Sequence, residues 1–159
     1  VIPDFESKIE ALCYHEAGHF VLCLLFGFNV KRVVLSAEMT GVEHDYSLPN
    51  SDDSSVGDYI TMSIGGGIAE EIFTGDESLA MDEDRRQVLY VARHLRPHLV
   101  ATIEDWRASL LTWKDEARRE LSKTQVWAAV EYVAQQLGEI EPPSEIVGSD
   151  LSGLVESTN

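Results

Sequence analysis

Residues 12–21, LCYHEAGHFV, bring two histidines and a glutamate together as His15, Glu16 and His19. In a helix, residues four apart lie about 40° apart around the axis and about 6 Å along it, so the two imidazoles project side by side. Both can then bind one zinc ion at about 2.0 to 2.1 Å. Glu16 flanks the same face, placed to accept a proton from an attacking water instead of ligating. Ala17 and Gly18 are small and leave room for a neighbouring backbone. The plain alternative is a pair of helix histidines satisfied by backbone carbonyls, which a bare HExxH pattern does not exclude. The surroundings weigh against it. Among Leu12, Tyr14, Phe20 and Val21, two imidazoles and a carboxylate are costly to desolvate unless a partner such as a metal cation compensates.

A catalytic zinc takes three protein ligands and keeps one open position. Leucines at positions 22 and 25 exclude the extended pattern HExxHxxGxxH. The third ligand must therefore come from Glu70 or Glu71, from a carboxylate of the acidic connector GDESLAMDED (75–84), or from His44, His94 or His98. His94 and His98 also have ligand spacing, but Pro97 between them breaks the helix that a second metal site would need.

The elements that must position these residues follow from periodicity and punctuation. A mostly apolar helix is predicted over about 6–26, with Asp4 as cap and Gly27 as stop. VKRVVLS (30–36) is β-branched, and Thr40, Val42, His44, Tyr46 and Leu48 alternate with smaller or polar residues, which predicts a small antiparallel sheet whose second strand is an edge. LPNSDDSS (48–55) is a loop. Ser55 with Asp58 resembles a capping box opening a helix over about 56–73, closed by Gly75. Another helix ends before Pro97. Leu99, Ile103, Trp106, Leu110, Trp113, Ala117 and Leu121 step by three and four and mark a long amphipathic helix, whose tryptophans suit core packing or a subunit interface. A last helix covers about 124–137.

The fold class expected is mainly α (α+β): a helical zinc-metallopeptidase domain over 1–138, with a catalytic core at 1–95, a C-terminal helical bundle at 96–138, and a mobile acidic tail at 139–159. A chain of 159 residues can bury one proper core. With 28 acidic against 12 basic residues and a net charge of −16, it repels phosphate backbones and anionic lipid, so nucleic acid is excluded as a partner. The longest apolar run, 20–28, is interrupted by Gly27 and too short to span a bilayer, so no membrane contact is expected through this chain. Cys13 and Cys23, about 15 Å apart along one helix, cannot bond to each other, and two free thiols point to the cytoplasm.

Three segments together resemble the peptidase domain of FtsH-type ATP-dependent membrane proteases: YHEAGHFVLCLL (14–25), GGGIAEEIFTG (65–75), and Asp84 heading DRRQVLYVAR (84–93). The resemblance spans roughly 5–137. It implies that His15, His19 and Asp84 ligate Zn2+, that Glu16 is the general base, and that Glu70 accepts a hydrogen bond that orients a ligating histidine. The connector departs from the glycine-rich, hydroxylated segment usual in the family, so Asp82 and Glu83 compete with Asp84, although only Asp84 keeps the distance to Ala92 and Arg93. The chain has no G-x-x-x-x-G-K-[ST] phosphate loop.

The function expected is hydrolysis of peptide bonds in exposed or unfolded polypeptide, without ATP through this chain. Gly41, Val42 and His44 would hold substrate by strand addition, with His44 either assisting the oxyanion or merely packing on the sheet. Two further readings stand beside it: a catalytically silent binding or regulatory module, and the proteolytic subunit of a split protease, as a homo-oligomer working with a separate ATPase partner.

Overall fold

The computed structural model describes residues 5–35, 40–44, 53–78, 81–139 and 144–147. The chain is mainly helical, with five α-helices and a small antiparallel sheet among these residues. Helix α1 (Phe5–Leu25) is buried on nearly every side from Cys13 to Cys23. It ends where Gly27 takes a φ of 78°. Gly27 N–H donates to Leu24 O at 3.1 Å and Phe28 N–H to Cys23 O at 2.8 Å, the paired bonds by which a left-handed residue satisfies the last helical carbonyls. Asp4, the expected cap at the other end, lies outside the described residues.

Strands β1 (Val30–Leu35) and β2 (Thr40–His44) follow. They pair antiparallel, Val33 opposite Val42 and Val34 opposite Gly41, with an irregularity between Val30 and Arg32. The sheet order is β2-β1-β3, so β2 lies at an edge. The expected continuation of β2 to Tyr46 and Leu48, and most of the loop after it, lie outside the described residues.

The third strand is a correction. β3 (Ser144–Val147) falls in the stretch expected to be a mobile tail, yet it pairs antiparallel with β1, Ile146 opposite Val33. Its neighbours Pro142, Pro143 and Gly148 gave the segment a disordered composition, whereas Ile146 and Val147 are β-branched and suit a strand.

Helix α2 (Asp53–Thr74) begins three residues earlier than expected, so Ser55 sits within its first turn and is not its cap. Gly75, with φ 77°, closes it by donating its N–H to Glu71 O at 2.8 Å. Helix α3 (Met81–Leu95) takes in the last four residues of the acidic connector, because Asp82, Glu83 and Asp84 in a first turn oppose the positive end of the helix dipole. Pro97 then breaks the chain into a single 3-10 turn, Pro97–Val100. The long helix expected from Leu99 therefore starts later, as α4 (Ile103–Leu121), opened by a reciprocal capping box between Thr102 and Asp105. Helix α5 (Thr124–Gly138) completes the helical body.

One core joins all five helices and the sheet. Helix α1 packs most extensively on α2 and then on α5, while α4 lies on α2, so the two C-terminal helices meet each other only lightly. Trp113 is buried and Trp106 packs partly buried against the same core, their rings 6.3 Å apart, which assigns the tryptophans to packing. Tyr14 stacks on Phe73 at 3.8 Å and faces Trp127 at 5.9 Å, tying α1 to α2 and α5. Cys13 and Cys23 are free, and burial pushes their thiols up to about 11 and about 12. Among the described residues no helix is long and apolar enough to cross a membrane.

Candidate metal centre

The α1–α2 crossing determines the site. A Cβ at Gly18 would come within 2.6 Å of Ala69 Cβ and 2.8 Å of Gly65 O, so a glycine is what lets α2 approach α1 here. The triple glycine of α2 lies under α1 and α3 in turn. A Cβ at Gly65 would strike Leu22, one at Gly67 would strike Met81, and one at Gly66 would lie 2.3 Å from His19 Nε2. Three successive helix-interior glycines each cost up to about 1 kcal/mol of helix propensity. The closeness of approach they permit is what offsets that cost.

His15, Glu16 and His19 are all buried, at 4%, 4% and 8% exposure. Asp84, from the first turn of α3, reaches them from the far wall. Its Oδ2 lies 3.2 Å from His15 Nε2 and 3.4 Å from His19 Nε2, and the two Nε2 atoms are 3.1 Å apart. Ligands at about 2.0 to 2.1 Å around a tetrahedral zinc stand about 3.3 Å from one another, so the three edges of this triangle match that spacing. Asp84 Oδ2 is buried without a hydrogen-bond partner despite its closeness to both rings, and Glu16 Oε2 is likewise without one. Two buried oxygens left in that condition are what a cation and an attacking water would satisfy. Among the described residues, His15, His19 and Asp84 are the group able to hold a metal ion.

The outer nitrogens of both rings are fixed by groups that only accept. His15 Nδ1–H donates to Glu70 Oε2 at 3.0 Å, and His19 Nδ1–H donates to Met62 O at 2.9 Å. With Nδ1 carrying the proton, each neutral ring turns the lone pair of Nε2 into the triangle.

Charge in the site is strongly coupled. Burial alone would lower His15, but Asp84 and Glu70 beside it outweigh this and raise its pKa to about 10. His19 is also lowered by burial and raised by the Asp84 carboxylate, with a net rise. Burial would raise Asp84, yet the charge of His19 and contact with both rings hold it well below the usual carboxylate range. Glu16 is raised by burial, against the pull of His19 and His15. Burial likewise opposes the lowering of Glu70, which its hydrogen bonds to His15 and Ser78 bring about.

The triangle opens onto a cleft of ≈ 440 Å³ whose lining includes Glu16, Gly41, Val42, Tyr59 and Gln87. Gly41 and Val42 bring the β2 edge to this cleft. Of His44 only the backbone is described, opposite Val30 at the end of β2. The remaining candidates for the third ligand stand outside the triangle, although Glu83 also lines the cleft. Asp82 and Glu83 are exposed and face Arg85 and Arg86, Glu71 is held by Arg118, and His94 Nδ1–H donates to Tyr90 O at 2.8 Å.

With this geometry in view, one similarity stands out. The chain is 32% identical over 97 residues to ATP-dependent zinc metalloprotease FtsH 2 of Methylacidiphilum infernorum (isolate V4). The match takes in 57% of this chain and 15% of that protein's length. No family model matches the chain. The likeness points to a relation with FtsH-type proteins and to metalloprotease chemistry in general.

Three participants in the site were not singled out from the sequence: the Met62 carbonyl, Gly66 beneath the His19 ring, and Ser78. Only the run Gly65-Gly66-Gly67 inside a helix could have flagged a close approach.

Proposed function

We propose that this chain is a zinc-dependent metalloendopeptidase unit that hydrolyses peptide bonds in exposed or unfolded polypeptide. The observation that carries the reading is the triangle of His15 Nε2, His19 Nε2 and Asp84 Oδ2, with edges of 3.1, 3.2 and 3.4 Å. These three atoms would hold the ion. When bound, zinc polarises the scissile carbonyl and lowers the pKa of the attacking water towards about 7. Glu16, buried beside the triangle with Oε2 unpartnered, accepts the water's proton and delivers it to the leaving amine. Glu70 and Met62 keep the two imidazoles in the orientation that ligation needs. The β2 edge, reaching the cleft at Gly41 and Val42, aligns an extended polypeptide through main-chain hydrogen bonds and so imposes little sequence preference. Two buried free thiols suit a reducing compartment, and the reading places the chain in the cytoplasm.

The test begins with elemental analysis of the purified chain beside Asp84→Ala. About one zinc per chain, lost in the variant, followed by casein cleavage that Glu16→Gln abolishes while zinc is retained, is the expected result. Absence of metal from the wild-type chain even after zinc is supplied would sink the reading. Retained zinc with no cleavage by the wild type would instead favour a binding or regulatory module.

A second reading concerns the motor. The relative is described as ATP-dependent and the matched region is 15% of its length, which favours an ATPase partner on the same or another polypeptide. Cleavage of a folded substrate only when an ATPase is added back would support it.

A further inference from the structure

We propose that Ser78 is a positioning residue for the metal centre: it acts through Glu70 to fix the His15 ring, and Glu71 anchors it to α4. The inference rests on the zinc reading above for its functional meaning, and on geometry for its substance. Ser78 lies in the connector between α2 and α3, is 6% exposed, and donates its hydroxyl to Glu70 Oε2 at 2.6 Å. The same oxygen accepts from His15 Nδ1 at 3.0 Å. One carboxylate oxygen thus takes two donors, one from the ring it orients and one from a buried hydroxyl with no other role in the site.

The adjacent glutamate faces the other way. Glu71 Oε2 accepts from Arg118 Nη2 at 2.9 Å, Lys114 Nζ stands 3.6 Å from its Oε1, and Ser78 N–H donates to that Oε1 at 3.4 Å. Consecutive glutamates of α2 therefore divide the work: Glu70 touches the centre, while Glu71 joins the connector to α4. Without the Ser78 hydroxyl, Glu70 Oε2 keeps a single donor. Its side chain is 15% exposed, so the carboxylate can then turn towards water and let the imidazole rotate.

The test has two readouts, neither of which is proteolysis. The first is ¹⁵N-histidine NMR of the metal-free chain, in which the His15 Nδ1 proton should exchange slowly with solvent. Ser78→Ala should speed that exchange at least about tenfold, and Ser78→Ala should add nothing in a Glu70→Ala background. The second is zinc affinity by competition with a chromophoric chelator, where loss of an outer hydrogen bond of this kind weakens binding about 10- to 100-fold. The two losses should again fail to add when Glu70 is already absent. An unchanged exchange rate in folded Ser78→Ala overturns the proposal, as does an equal loss of affinity with and without Glu70. If the wild type binds no zinc, the peptidase reading fails, and the exchange measurement still decides the role of Ser78.

Discussion

His19 is gripped from two sides, by the Met62 carbonyl on its outer nitrogen and by the bare backbone of Gly66 against its inner one. Gly66→Ala gains about 1 kcal/mol of helix propensity, but its methyl must displace a buried ring, and overpacking of that kind costs about 1 to 3 kcal/mol. We expect urea denaturation to show a net loss of stability, with zinc affinity at least about tenfold weaker by chelator competition. The site also makes a signed pH prediction. His15 has a folded pKa of about 10 against an unfolded value of about 6.5, so its contribution to the metal-free fold is present below 6.5 and lost as pH rises through 10. Asp84, lowered, contributes above its unfolded value and loses that contribution as pH falls through its folded one. With a chelator present, Tm should therefore fall between pH 7 and 10, whereas the extra stabilisation given by zinc should grow over the same range because the ion displaces protons from His15 and His19. A chelated sample whose Tm rises over that range would contradict this. At this scale the spacing of His15, Glu16 and His19 was legible because one helical turn relates them. Asp84 was legible only through the resemblance to FtsH-type proteases, within which it alone keeps the distance to Ala92 and Arg93, and Ser78 was not legible at all, since nothing local ties a connector hydroxyl to a glutamate on the preceding helix.

The helices that carry the site were readable wherever a stop or period was strong, and misread where a long-range or subtle boundary intervened. Gly27 and Gly75 marked two helix ends, and both adopt the left-handed backbone that only glycine takes without strain. The apolar spacing from Leu99 to Ile103 ran straight across the 3-10 turn, so the boundary at Thr102 was invisible to periodicity although Asp105 stands three residues on. Ile103 is in fact 64% exposed and takes no part in the core stripe. Because the Thr102 hydroxyl accepts the Asp105 N–H at 3.1 Å, Thr102→Ala should destabilise the chain by about 1 kcal/mol in chemical denaturation while leaving zinc affinity unchanged. A change in zinc binding would mean that the start of α4 is coupled to the centre.

For the molecule as a whole, a net charge of −16 on 159 residues means self-repulsion in the folded state. Raising sodium chloride from about 0.02 to 0.2 M shortens the screening length from about 20 to about 7 Å and should raise Tm of the metal-free chain; an unchanged or lower Tm would show that local ion pairs outweigh the net repulsion. The charge and the single core could be read from composition. The closing strand could not, because pairing between residues about 110 apart leaves no local trace. That strand also orders events during synthesis. The residues of the histidine–aspartate triangle are all present once residue 84 is made, but β3 ends at residue 147, and translation at about 5 to 20 residues per second separates the two by about 3 to 13 s. During that interval the side of β1 that β3 will cover stays open, and the charged Lys31 and Arg32 lie along β1, where such residues discourage pairing with another chain. A nascent chain therefore carries the residues of its metal triangle while β1, central in the finished sheet, is still an edge strand.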